Sequence, residues 1–170
     1  VHEISGISRI RLGSLEPRIV TEDFVAAIAA LPKVCPHFHL SLQSGCSRTL
    51  LRMNRKYTAQ EYARCCGLLR KYYEAPALTT DVITGFPGET EEDFEESRAF
   101  VEEIGFFETH IFPYSRREGT RAAAMEGQLP EAVKKARSRV LLDLDAVQRR
   151  RYMEQFLGKT LEILLEEQKE

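Results

Sequence analysis

Asp81 is a carboxylate in the middle of a β-branched run, Thr79-Thr80-Asp81-Val82-Ile83-Thr84. Such a run favours an extended backbone, because β-branched side chains pack well on a pleated surface. Side chains alternate along a strand, so Asp81 shares a face with Thr79 and Ile83, while Leu78, Thr80 and Val82 occupy the other. A carboxylate so placed is either a paired structural group or one that lines a cavity. Other stretches repeat the pattern. Arg11, then His39, Ser41 and Gln43, then Glu108 and His110 oppose an apolar set of Ile10, Leu12, Phe38, Leu40, Leu42 and Ile111. An unpaired polar group in a dry core costs a few kcal/mol, so four successive strands with one polar face imply a partial or complete barrel. Its helices lie outside and its interior is polar and holds a ligand. Chemistry in such barrels sits at the C-terminal strand ends, here residues 14–16, 43–45, 85–89 and 113–117. His39 and His110 could ligate a metal. With no spaced carboxylate or thiol partner beside them, inner-face hydrogen bonding is the preferred reading and no metal ligand is assigned.

The elements that carry these residues alternate between strand and helix. Residues 9–13 read as a short strand, and residues 14–17 as a loop, since Pro17 restricts Glu16 and cannot donate to a ladder. Thr21 caps a helix with Phe24, Val25, Ile28 and Leu31 on one face. Residues 38–42 form the next strand, followed by a turn at Gln43-Ser44-Gly45 and a short helix over residues 47–53. Thr58 and Glu61 make a capping-box pair for a helix that turns Tyr62, Cys65, Cys66 and Leu69 inward. After the Asp81 strand, Gly85, Pro87 and Gly88 break the chain and Thr90 caps a helix with Phe94, Val101 and Ile104 on its core face, closed by Gly105. Residues 108–112 are a further strand and residues 113–120 a polar loop.

A long helix starts near Pro130 and ends at Gly158, with Val133, Ala136, Val140, Leu144 and Val147 at helical spacing. Lys134, Lys135, Arg137, Arg139 and residues 149–151 then read as its solvated face. Residues 159–165 alternate like the first strand of another unit, and residues 1–4 resemble the last turn of a helix ended by Gly6. Strands alternating with helices across short loops mean βαβ units and a parallel sheet, an α/β fold.

A chain of 170 residues can bury a sizeable core as one domain. Its net charge of −2 carries no global nucleic-acid signature, so any RNA contact must be local. Cys35, Cys46, Cys65 and Cys66 form neither a Cys-x-x-Cys pair nor a zinc pattern and are expected to be reduced thiols of a cytoplasmic protein. No signal peptide or apolar run of spanning length is present, so no membrane partner is expected. Gly85-Phe86-Pro87-Gly88-Glu89-Thr90 lacks the Gly-Lys-Ser/Thr ending of a phosphate loop. Val1 is not an initiator methionine, and the chain reads as an excised fragment.

Ser41-Leu42-Gln43-Ser44-Gly45, Met53-Asn54-Arg55-Lys56-Tyr57-Thr58, residues 81–90 and Phe112-Pro113-Tyr114-Ser115-Arg116-Arg117-Glu118-Gly119-Thr120 follow one another in an order that resembles the methylthiotransferases of the radical S-adenosylmethionine (SAM) superfamily. Residues 9–17 and 110–120 are most similar to the branch that acts on N6-threonylcarbamoyladenosine beside the tRNA anticodon. Sister branches act on isopentenyladenosine in tRNA or on a ribosomal-protein aspartate.

The resemblance implies the C-terminal part of a partial (β/α) TIM-like barrel over residues 1–157. Residues 158–170 would be the start of a C-terminal RNA-binding β domain of the TRAM type. It implies S-adenosylmethionine as cofactor, cleaved reductively to a radical that abstracts hydrogen from the adenine ring before sulfur and a methyl group are added. It also implies 4Fe-4S clusters in the full-length enzyme, but the Cys-x-x-x-Cys-x-x-Cys loop that would hold the barrel's cluster is absent here, and the fragment is expected to be inactive alone.

By position, the resemblance gives Gln43 and Asp81 to polar contacts with the cofactor, Arg55 to its carboxylate, Ile83 to an adenine face, and Phe112 and Tyr114 to the adenine edge. Arg55 could equally anchor its loop through a salt bridge. Glu16, Arg116 and Arg117 are expected at the tRNA substrate. If strands before Arg9 are missing, residues 9–13 are an exposed edge through which the fragment is expected to self-associate. A metabolite-binding barrel without chemistry, and an RNA-binding module built on the basic helix, are the alternatives.

Overall fold

A computed structural model describes residues 1–162. Four parallel strands stand side by side in chain order: β1 (Ile10–Leu15), β2 (Val34–Leu40), β3 (Ala77–Thr84) and β4 (Glu108–Pro113). The helices are α1 (Glu22–Ala29), α2 (Ser47–Arg52), α3 (Ala59–Tyr72), α4 (Glu91–Ile104) and α5 (Glu131–Glu154). Parallel neighbours need crossover connections, and sequential strands with helical crossovers make the wall of a partial (β/α) barrel. One sheet face is dry. Phe38, Leu40, Leu78 and Val82 project into a core shared with Val25, Tyr62, Leu69, Val101 and Phe106.

The caps act as the sequence predicts. Thr21 Oγ1 accepts from Phe24 N, and complete capping boxes start α3 (Thr58 with Glu61) and α4 (Thr90 with Asp93). Gly105 ends α4 in the left-handed conformation, at φ +65°.

Several expectations are corrected. β1 does not stop at Gly13. Ser14 takes φ +54°, and this bulge reverses the alternation so that Leu15 enters the core and ends the strand. β2 begins at Val34 rather than Phe38 and ends at Leu40. Its pairing with β1 jumps from Val34 to Phe38 across Pro36, which has no N–H to offer a ladder. Residues 1–4 form turns rather than a helix end, with Ile4 N donating to Val1 O. Residues 159–162 have no regular structure, and the rest of the expected strand over residues 159–165 lies outside the described residues.

The largest correction is the orientation of α5. Val140 and Val147, two of the apolar residues at helical spacing, are 43% and 56% exposed. Lys134, Arg137, Ser138, Asp145 and Gln148 are buried instead, together with Leu141. The cause is hydrogen-bond accounting, since buried backbone groups must be paired. α5 lies against strand and helix ends whose polar groups need partners. Asp145 Oδ1 accepts from Thr109 N at 2.6 Å, Gln148 Nε2 donates to Val101 O at 2.9 Å, and Lys134 Nζ donates to Tyr114 O at 2.9 Å. Among the described residues no helix is long and apolar enough to cross a membrane.

Candidate functional site

The second face of the sheet is polar. Arg11, Gly13, Ser14, His37, His39, Thr79, Asp81, Glu108 and His110 line a cleft of about 360 Å³. At its centre both carboxylate oxygens of Asp81 are engaged. Oδ2 meets His39 Nε2 and Oδ1 meets His110 Nδ1, each at 3.2 Å. Asp81 and His110 are direct register partners across β3 and β4. His39 lies across the sheet from Thr79, whose Oγ1 is 3.0 Å from its Nδ1. The two imidazoles stack with centroids 5.5 Å apart. The carboxylate partner that the sequence did not place beside either histidine is thus Asp81 itself, supplied by the strand between them. His37 lies just ahead of residues 38–42, which the sequence reads as the strand, and joins the cleft because β2 begins at Val34. Its imidazole is pushed down in pKa by burial and then by Arg11, whose Nη2 lies 3.2 Å from Nδ1.

Above this knot, towards the C-terminal strand ends, the inner face continues with Ile83 opposite Phe112. Gln43 is delivered here by an irregular extension of β2. Ladder pairing with β3 ends at His39, and Gln43 rejoins it as a bridge to Val82, donating from its N–H to Asp81 O at 2.8 Å and accepting from Ile83 N at 2.9 Å. Between those points buried hydroxyls replace the ladder. Thr80 Oγ1 donates to Leu40 O at 2.6 Å and accepts from Leu42 N at 3.1 Å, and Tyr62 Oη donates to Leu40 O at 3.0 Å. Tyr57 Oη donates to Ser41 O at 2.7 Å. Burial pushes the pKa of both tyrosines up. Gln43 itself sits at φ +73°, a conformation costing a non-glycine residue on the order of 1–3 kcal/mol.

The turn after β3 is clamped from several sides. Gly85 N donates to Glu89 Oε1 at 2.9 Å, closing the loop on itself. Glu89 is in turn held by Arg137 of α5, and its carboxyl is pushed up by burial against the pull of Gly85 N–H and Arg137. Gly88 N donates to Gly127 O at 2.8 Å, and the Arg52 guanidinium donates to Gly88 O. A Cβ at Gly85 would overlap the Lys134 stem, so glycine is required there by contact as well as by its φ of +71°.

The remaining candidates lie elsewhere. Half-buried Arg55 lines a separate groove with Arg48, Leu51 and Thr58, outside the Asp81 cleft. Tyr114 packs on Phe86, with centroids 5.5 Å apart, and under Lys134 Nζ. Its buried Oη has no partner among the described residues. Glu16 is exposed just past β1, and Arg116 and Arg117 are exposed in the loop after β4. The strands carry Asp81, Ile83 and Phe112 on the inner face, with Ile83 and Phe112 nearer its C-terminal end, and join Gln43 to β3 beside Ile83 through its bridge to Val82, whereas Arg55 lines a separate groove.

Three of the four thiols are committed to packing. Cys46 Sγ donates to Asp93 and Glu96 at 3.2 and 3.3 Å, Cys65 Sγ donates to Pro17 O at 3.1 Å, and burial pushes Cys66 up to about 12.

Residues 3–101 match the radical SAM superfamily. The tRNA-2-methylthio-N(6)-dimethylallyladenosine synthase of Acetivibrio thermocellus is 43% identical over 98% of this chain and 35% of its own length. The threonylcarbamoyladenosine tRNA methylthiotransferase of Bacillus subtilis is 42% identical over 96% of this chain and 36% of its own. Coproporphyrinogen III oxidase from Escherichia coli, described as a radical SAM enzyme, superposes with a TM-score of 0.64 at 19% identity, over 84% of this chain and 32% of that one. At that identity the likeness is one of fold. The chain spans about a third of the length of the curated relatives it matches.

Proposed function

The chain belongs to the radical SAM superfamily, and on that premise we propose that it forms the cofactor- and substrate-facing wall of a tRNA methylthiotransferase acting on N6-threonylcarbamoyladenosine beside the anticodon. The observation that carries this reading is its 40–43% identity, along nearly its whole length, to enzymes named for tRNA methylthiolation. Such an enzyme works in the cytoplasm, where its tRNA is. The motifs at residues 9–17 and 110–120 favour the threonylcarbamoyl branch. The 43% identity to the Acetivibrio dimethylallyladenosine enzyme favours the sister substrate as a second reading.

The inner face has the chemistry that S-adenosylmethionine requires. Phe112, 52% exposed, and half-buried Ile83 offer apolar surface to a planar base. Gln43 joins β3 beside Ile83 through its backbone bridge, and Asp81 lies one layer below. Arg55, which no ion pair engages among the described residues, suits the cofactor's carboxylate. Tyr114 borders the same strand end. Bound there, the cofactor supplies the radical that activates a C–H bond of the tRNA base. The chain's own residues orient it and exclude water. Glu16, Arg116 and Arg117 meet the nucleotide and its phosphates. The four cysteines do not fit a 4Fe-4S cluster, being buried, bonded or unsuitably spaced, so no step is assigned to such a cluster through these residues.

The test is expression of the gene's complete product in a host lacking both 2-methylthioadenosine modifications, with mass spectrometry of tRNA nucleosides. The 2-methylthio derivative of N6-threonylcarbamoyladenosine is expected. Its dimethylallyl counterpart would move the enzyme to the sister branch, and neither product would overturn the reading.

A further inference from the structure

We propose that His39, Asp81 and His110 form a binding site for a divalent first-row transition ion of the Zn²⁺ kind. They offer two imidazole nitrogens and a carboxylate oxygen within 4.8 Å of one another. A tetrahedral ion with bonds of about 2.0–2.1 Å spaces its ligands by roughly 3.3 Å. Asp81 stands at that spacing from His39 through Oδ2 and from His110 through Oδ1, each at 3.2 Å, and a small turn of the carboxylate presents one oxygen to the ion. His110 is half-exposed and free to adjust for the third.

The far nitrogen of His39 strengthens the assignment. Ligating histidines characteristically have the other ring nitrogen backed by an oxygen that fixes tautomer and orientation. His39 Nδ1 lies 3.0 Å from Thr79 Oγ1, within hydrogen-bond reach, while His110 Nε2 lies 3.9 Å from Glu108 Oε2, beyond it. Each imidazole thus points one nitrogen at the shared carboxylate, and the His39 ring is fixed by a hydroxyl at the other. All three ligands come from adjacent strands, which hold them more rigidly than loops do.

Charge agrees. Two neutral imidazoles and one carboxylate present a net −1 to a dication, and neighbouring Glu108 is paired with Arg149 at 3.0 Å. The opposing charge in the cleft is Arg11, which is turned to His37 at 3.2 Å. Three protein ligands leave a fourth position open to the cleft, where water completes the shell. The site does not depend on the cofactor reading, because it is measured without cofactor.

The test is titration of the chelator-treated chain with Zn²⁺ alone by calorimetry, and with Co²⁺ by visible absorption, which reports tetrahedral coordination. One ion per chain is expected. Affinity should fall at least tenfold in His110→Gln, in His39→Gln and in Asp81→Asn. Cys46→Ser, in the Cys46–Asp93–Glu96 cluster on the other side of the sheet, should leave it unchanged. Because Asp81→Asn could disturb folding, the half-exposed His110→Gln variant decides the matter, with its melting curve as control. No stoichiometric binding, or binding retained in His110→Gln, or binding lost in Cys46→Ser, would overturn the proposal.

Discussion

Arg137 and Glu89 form a buried ion pair between α5 and the turn after β3, with Nη1 and Oε1 2.6 Å apart and side chains 7% and 2% exposed. Arg137 also reaches Glu91 through Nη2 at 2.8 Å and stacks on the Phe94 ring. One side chain thereby ties the turn and the first turn of α4 to the last described helix. Removing one partner of a buried pair strands the other, at about 3–5 kcal/mol. Arg137→Met is therefore expected to lower the denaturant midpoint strongly, and adding Glu89→Gln should recover part of the loss. A single variant as stable as the parent would show that the pair is not closed in solution.

Asp93 supplies a pH dependence. Burial pushes its carboxyl up, but hydrogen bonds from Thr90 N, Cys46 and Arg48 outweigh burial and hold it below the usual range. A carboxyl lower in the folded than in the unfolded state stabilises the protein above its unfolded value, near 3.9. That stability is lost as pH falls through the folded value. Asp93→Asn should lower the melting temperature at pH 7 and flatten the decline on acidification. A parallel decline in both proteins would count against the assignment.

Gly45 has no room for a side chain. A Cβ there would stand 2.7 Å from Phe100 Cβ and 2.8 Å from Ser97 O, and its N–H donates to Ser97 Oγ at 2.8 Å. Gly45→Ala must push the strand end off α4, at about 1–3 kcal/mol. Because Gln43 sits two residues earlier, cofactor affinity should fall together with the melting temperature.

Arg116 and Arg117 project from the loop at the barrel mouth, and neither makes an ion pair among the described residues. If they meet phosphates, neutralising both should make the salt dependence of tRNA binding shallower, by about 0.7 in log–log slope for each phosphate no longer neutralised. An unchanged slope would remove them from the interface.

The residues around Asp81 were legible because local rules agreed there: β-branched side chains, two turn glycines, a proline and a capping threonine all specify strand, turn and helix. Strand parity brought Asp81 and His110 to one face. The knot itself was not legible, since hydrogen bonding across three strands depends on register, which no local pattern encodes. α5 misled for a different reason. Val140 and Val147 keep helical spacing, as do Lys134, Arg137, Ser138, Leu141, Asp145 and Gln148, and hydrophobicity alone favours the first set. The second set goes inward because the backbone groups of Thr109, Val101 and Tyr114, and the carboxylate of Glu89, need partners there. Ser14 and Gln43 escaped because positive φ in a non-glycine residue leaves no trace in composition.

The most direct measurement is S-adenosylmethionine affinity in the gene's complete product, by calorimetry, with iron–sulfur absorbance as the check on integrity. Gln43→Ala, Ile83→Ala and Phe112→Ala remove three side chains carried near the C-terminal strand ends and proposed to meet the cofactor. Each is expected to weaken binding roughly tenfold, about 1.4 kcal/mol. Leu142→Ala, on the exposed side of α5, should leave affinity unchanged. Unaltered affinity in all three inner-face variants, with the iron–sulfur absorbance intact, would contradict the placement of the cofactor on this face.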